Sequence, residues 1–431
     1  MTNVCGIITE YNPFHNGHAH HLAQSRRLSG ADDVIAVMSG NFVQRGEPAI
    51  IDKYRRTRMA LDGGVDIVLE LPVAWATSSA EGFADGACRM LAATGIVDSI
   101  CFGSEIGDIV PLMEIARHLV HETDDFKQIL RGHLASGLSF PAARAAAVAK
   151  TLGESAANTM SHANNTLGIE YLKAILRHNL PLDAHTSTRY GTAHNSDVFA
   201  GNSASAGAIR RHIYGGGEIS QLSQLMPQHS YDILAEEYAC GAINQLNNYS
   251  PHLHYALHIN AGNSAQVITK AAQQHYKISD ILSAAKTKNL THTALQRAAM
   301  HIVLGINPEI VIPVENNTVK ANSHERSNVE LATGGIDLKR NCYNTNANIT
   351  TQPIPYIRIL GFRREKEALL RRLHAAATVP VITNLKYTKN LPDNAKHMLE
   401  QELAATRMFW LGLKPQLPSG RNEWETPMVM V

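Results

Sequence analysis

Cysteine is scarce in this chain of 431 residues, with five scattered at Cys5, Cys88, Cys101, Cys240 and Cys342 and no C-x-x-C pair among them. That spacing argues against a zinc ribbon or a disulfide framework and fits a reducing compartment. Cys5 and Cys101 fall in apolar runs and read as buried, inert thiols. Aromatic residues make up only 6% of the chain, so no platform for stacking bases is legible. A charge excess is also missing. The net charge is +1, and any nucleic-acid surface must come from local clustering. No charge-free apolar stretch reaches the ~18 residues that a membrane helix needs. Met1 to Cys5 lack a basic region and run straight into a strand, so a cytoplasmic protein with no signal peptide is expected.

What is present is an alternation. Short β-rich runs at residues 4–9, 33–38, 66–71 and 98–102 are separated by helical stretches at 17–28, 52–62 and 78–93. Apolar strands linked by helices predict a parallel α/β sheet covered on both faces. Ligands on such sheets bind beyond the carboxyl ends of the strands. Those ends carry Glu10 to His18, Ser39-Gly40-Asn41, Glu70-Leu71-Pro72 and Gly103-Ser104-Glu105. From 106 to 163 the texture is helical only, which reads as an insertion on the sheet. A further helix opens at Asn164-Asn165-Thr166, and a short strand at 182–186 leads to Thr188-Arg189. After about residue 215 the sheet pattern stops. Helices are predicted at 229–239, 263–272, 278–287 and 292–305, and a strand or extended connector at 310–314. Residues 315–351 are polar and read as irregular. Order returns at 355–362, followed by a basic helix at 363–377 and an apolar run at 379–383, and the tail after Leu417 is expected to be loosely held. The predicted division is a catalytic domain over 1–215 and a mainly helical region over 216–431.

The chemistry concentrates in Phe14-His15-Asn16-Gly17-His18, directly after the first strand. Asn12-Pro13 breaks the chain before the helix. A helix N-terminus offers partial positive charge and free N–H groups to anionic oxygens, and Gly17 allows close approach to the backbone. His15 and His18 can both address one α-phosphate and donate to it as charge builds during displacement of pyrophosphate. His20 and His21 lie further along the same helix and are expected to pack or face solvent rather than catalyse. A second segment, Asn202 to Arg210, places Ser205 at a helix cap and Arg210 one turn on; it reads either as a phosphate site or as an ordinary capped helix. The segment 42–48 brings Arg45 to the ligand end. Arg55 and Arg56 read as a solvated helix face. The run Arg363, Arg364, Lys366, Arg371 and Arg372 is offset by only two glutamates, which suits either RNA phosphates or a plain surface helix. Arg297, Lys286 and Lys288 could extend the same surface.

The His-x-Gly-His signature after a first strand is similar to that of the nucleotidylyltransferase superfamily, and Asn202 to Arg210 resembles its serine-rich turn followed by arginine. Ala206 and Gly207 stand where hydroxyl residues are usual. The blocks 6–18, 37–46, 164–168 and 358–362 resemble more closely the bacterial tRNA(Met) cytidine acetate ligase family. That resemblance implies a Rossmann-like domain and a two-step reaction. Acetate attacks the α-phosphate of ATP to give acetyl-adenylate, and the N4 amine of the wobble cytidine of elongator tRNA(Met) then takes the acetyl group. It implies that Ile7, Ile8, Thr9, Glu10, Tyr11, Asn12, Pro13, Phe14, His15, Asn16, Gly17, His18, Ala19 and His20 wrap ATP, with His15 and His18 on the phosphates. Gly103, Asn165 (or Asn164 in its place), Arg189, Ser205 and Arg210 would add contacts. Magnesium is expected as a counter-charge to the triphosphate, without a dedicated acidic ligand cluster in the protein. The other readings are an adenylyltransferase acting on a small cofactor precursor and an RNA-binding protein without catalysis.

Overall fold

The computed structural model describes residues 2–189, 199, 201–259, 266–288, 290–306, 352–413 and 422–431. The strand and connector expected at 310–314 and 315–351 lie outside them. The first strand, β1 (Val4–Thr9), forms over the predicted residues. It pairs in parallel with β2 (Asp33–Ser39) on one side and β6 (Ser99–Ser104) on the other, and β6 pairs in parallel with β7 (Asp183–Thr188). β5 (Ile67–Leu71) lies beyond β2, and a two-stranded hairpin of β3 (Phe42–Val43) and β4 (Glu47–Pro48) follows β2.

Helices cover both faces. α1 (Asn16–Ser29) and α2 (Lys53–Asp62) pack on one side, and α3 (Val73–Ala76) and α4 (Ala80–Ala93) on the other. Alternation along β1 divides the two cores: Cys5 and Ile7 join one cluster, Val4 the other. Gly6 shows how closely the layers meet, because a Cβ there would stand 2.7 Å from the Leu91 side chain on α4. The predicted helical insertion is present as α5 (Ile109–Val120), α6 (Asp124–Ala135), α7 (Phe140–Thr151) and α8 (Glu154–Met160), ahead of α9 (Ala163–His178) and α10 (Ala206–Tyr214). Beyond lie α11 (Gln228–Ala239), α12 (Ser250–Ile259), α13 (Gln266–Ala272), α14 (Ile278–Ala285) and α15 (His292–Leu304).

The chain then returns to the first sheet. β8 (Ile357–Phe362) pairs antiparallel with β5, β9 (Val381–Ile382) flanks it, and β10 (Val429–Met430) adds in parallel at the outside. The sheet order is β10-β8-β5-β2-β1-β6-β7, with β9 beside β8. A boundary at residue 215 does not capture this return. The tail is not loosely held: Glu423 is buried, and β10 completes the sheet edge.

Two further expectations are corrected. Arg56 is not on a solvated face but fully buried, donating to the carbonyls of Glu10 (2.6 Å), Ser39 (3.1 Å), Ile51 (3.2 Å) and Gly40. It gathers strand-end carbonyls that would otherwise be orphaned. Lys53 is equally buried, 2.6 Å from Glu70 and 2.5 Å from Glu423, with Glu402 of α17 (Asp393–Leu411) at 3.7 Å. Arg55 does reach the surface, paired with Glu237 at 2.7 Å. The basic run around α16 (Glu367–Ala376) does not face the ligand end. Lys366 pairs with Asp33 at 2.6 Å and Arg363 with Asp66 at 3.6 Å. Both acids stand at the amino ends of strands, opposite the site.

Candidate active site

A cavity of about 360 Å³ opens at the carboxyl ends of β1, β6 and β7. Its floor is set by the turn after β1, where Tyr11 adopts φ 45° and Asn12 is pinned by accepting from the Ile50 amide at 2.7 Å. The turn delivers His15, in extended backbone, as the N-cap of α1. His15 Nδ1 accepts from the Gly17 amide at 3.0 Å, and His18 Nδ1 accepts from the His15 amide at 3.3 Å. This reciprocal capping fixes both tautomers. With each Nδ1 engaged as acceptor, each ring carries its hydrogen on Nε2. The rings stack with centroids 3.8 Å apart. Burial holds His15 down at about 3, with Arg189 and Arg210 adding to the effect. His18 is lowered too, by burial and then by His15. Two neutral imidazoles therefore serve as fixed single-proton donors.

The expected free amides of the first helical turn are already engaged. The Asn16 amide donates to the Leu225 carbonyl at 3.1 Å, the Gly17 amide to His15, and those of His18 and Ala19 to the His15 carbonyl at 2.8 and 3.1 Å. Donation into the cavity falls to the histidine side chains.

Most of the sequence-predicted residues meet here. Ile8, Thr9, Glu10, Tyr11, Asn12, His15, Gly17, His18, His20, Gly103, Arg189, Ser205 and Arg210 all line the cavity. Ile7, Pro13, Phe14, Asn16 and Ala19 are not among the lining residues. Ile7 lies on the other face of β1 and Phe14 packs beneath, against Tyr11 at 4.8 Å between centroids. Asn16 instead donates to the carbonyls of Asn202 and Gln224, both at 2.9 Å. Asn165 is a correction. It is buried, accepts from the Glu105 amide at 2.8 Å and donates to the Thr159 carbonyl at 3.0 Å, while Asn164 lines the cavity.

Ser205 caps α10 by accepting from the Ala208 amide at 3.1 Å. Arg210 donates to the Asn12 carbonyl at 2.7 Å and to Glu47 at 2.8 Å. Arg45 and His21 also line the cavity, so His21 does not merely pack or face solvent. Sequence reasoning missed Glu47 and the wall formed by Phe83, Phe102, Leu167 and Tyr171. Glu47 shares the 42–48 segment with Arg45, which was the available signal. The apolar wall had none, since its residues pattern like any core. Among the described residues, no group of three or more His, Cys, Asp and Glu is placed to hold a metal ion.

Comparison with known proteins agrees with this geometry. The family described as HIGH Nucleotidyl Transferase matches residues 2–324 and 336–423. A tRNA(Met) cytidine acetate ligase of Acetivibrio thermocellus is 35% identical over 425 residues, 94% of each chain. One from Thermoanaerobacter sp. is 34% identical over 424 residues, 95% of this chain and 96% of the relative. The crystal structure of Thermotoga maritima TmcAL superposes with a TM-score of 0.85 at 30% identity, covering 100% of this chain and 99% of the other. The same protein bound with alpha-thio ATP gives 0.83. With the nucleotidyl transferase signature capping its first helix and this likeness running end to end, the chain belongs to the tRNA(Met) cytidine acetate ligase family of HIGH nucleotidyl transferases.

Proposed function

We infer that this chain is an ATP-dependent acetate ligase that forms N4-acetylcytidine at the wobble position of elongator tRNA(Met). The observation that carries the reading is the pair of stacked, neutral imidazoles with both Nε2–H groups free of backbone duty at the cavity. Acetate attacks the α-phosphorus of ATP and pyrophosphate leaves. His15 and His18 donate to the α-phosphate oxygens as charge gathers there, in a site fixed before reaction. No nucleophilic side chain is needed, because acetate supplies the oxygen. The protein's task in this step is alignment. Gly103 and Arg189 take the adenosine side, Ser205 and Arg210 the outer phosphates, with Arg210 exchanging Glu47 for them. Magnesium enters as the counter-ion of the nucleotide. The second step moves the acetyl group from acetyl-adenylate to cytidine, releasing AMP.

The helical part of 216–431 holds the tRNA in this reading. α15 supports it: a Cβ on Gly46, in the cavity-lining hairpin, would stand 2.5 Å from the Arg297 Cα, so the bundle stands at the cavity's rim. Such a substrate belongs to the cytoplasm, and among the described residues no helix is long and apolar enough to cross a membrane. The test is to supply labelled acetate, ATP and bulk bacterial tRNA, then digest and separate the nucleosides. Acetylated cytidine, formed only when all three are present, is the expected product. Label accumulating in a small molecule without RNA, or ATP left unconsumed, overturns the reading.

A further inference from the structure

Two carboxylates line the cavity, Glu10 and Glu47. Glu47 is held by Arg210 at 2.8 Å. Glu10 has no ion pair among the described residues. Its Oε1 accepts from the Gln44 amide at 2.8 Å, and its carbonyl accepts from Arg56 at 2.6 Å. It closes β1 five residues before His15, on the same cavity wall.

The second chemical step needs a proton acceptor at this place. The acetyl carbon of acetyl-adenylate is separated from the α-phosphorus by one oxygen, so the attacking amine must arrive beside the group that His15 and His18 hold. The amine brings two N–H bonds and the product keeps one. Neither imidazole can take the other proton, since Nε2 is protonated and Nδ1 already accepts a backbone amide on each ring. His21 stands across the cavity, beside Gly103 and Arg189.

We propose that the Glu10 carboxylate accepts the N4 proton of cytidine as the amine attacks acetyl-adenylate. The N4–carbon bond forms and the anhydride carbon–oxygen bond breaks. AMP leaves with that electron pair, and the proton rests on Glu10 before passing to solvent. This rests on the ligase reading. It also accounts for choice of base, because uridine would set its O4 acceptor against a carboxylate. Burial raises the carboxyl above its ordinary range, which strengthens it as a base. The groups facing it are Arg56 from α2, Arg45 and Glu47 from the hairpin, Arg210 from α10 and Tyr171 from α9.

The experiment compares wild type, Glu10→Gln and Glu10→Asp in two assays: acetate-dependent ATP–pyrophosphate exchange without RNA, and single-turnover acetyl transfer to tRNA across pH. For Glu10→Gln, transfer should fall by about 100-fold or more, at least tenfold further than exchange. The rise of transfer rate with pH should vanish with it. Glu10→Asp should recover part of the rate and the pH limb. Transfer within about threefold of wild type overturns the proposal, as does an equal loss of exchange and transfer, which would assign Glu10 to ATP. Absence of acetylated cytidine with wild type would instead overturn the ligase reading, and this inference with it.

Discussion

At the scale of single residues, the cap of α1 separates two roles that His18 combines. Its Nδ1 serves the helix and its Nε2–H serves the cavity. The substitution His18→Asn keeps a side-chain acceptor near the His15 amide and removes the ring donor. We expect acetate-dependent exchange to fall by about 100-fold or more, while tRNA affinity by filter binding stays within about twofold. Equal losses would make His18 a structural residue. Burial also gives His15 and His301 depressed values, about 3 and about 4. In the unfolded chain both titrate near 6.5. The unfolded state therefore binds protons first as pH falls. The stability they contribute is whole above about pH 6.5 and drains away towards pH 3–4, at up to about 1.4 kcal/mol per pH unit for each group. Urea midpoints measured without ligand should drop between about pH 6.5 and 5, and replacing His301 with Gln should flatten that drop. An unchanged slope in the variant would contradict the burial argument.

At the scale of elements, much of the parallel sheet was legible. β1 spans the predicted residues, and α1 and α2 begin within one residue of theirs. Periodicity and the Gly and Pro breaks carry that much. The charged face of α2 was misread because its partners are remote: Glu402 and Glu423 lie some 350 residues or more beyond Lys53. No local pattern announces a contact at that separation. The tail was missed for a related reason. β10 has two residues, too few for a period, and it is secured by Glu423 meeting Lys53 at 2.5 Å and Arg358 at 2.8 Å. Removing that carboxylate leaves two buried cations sharing Glu70 and Glu402. Glu423→Ala should therefore destabilise the protein by about 3–5 kcal/mol, read by denaturant unfolding. A cost below about 1 kcal/mol would mean that the cluster behaves like a surface pair.

At the scale of the whole molecule, the two ends of the sheet divide the basic residues. The run from Arg363 to Arg372 was legible as a cluster but not as a location. Lys366 and Arg363 meet Asp33 and Asp66 at the amino ends of the strands, and Arg372 donates to the Thr2 carbonyl at 2.9 Å. An anticodon loop with its wobble base in the cavity approaches from the other end. There, Lys286 and Lys288 are exposed just before α15, and Arg297 lies less than two helical turns into it, against the hairpin at Gly46. Phosphate contacts act without regard to sequence and release counter-ions, so each one lost lowers the salt dependence of binding by a slope of about 0.7–0.9. The double variant Lys286→Ala/Lys288→Ala should raise the KM for tRNA several-fold and flatten the plot of log affinity against log salt, with exchange in the absence of RNA unchanged. Arg371→Glu, exposed on α16, should leave the KM for tRNA within about twofold. The reverse pattern would place the RNA across the amino ends of the strands and detach the wobble base from the cavity.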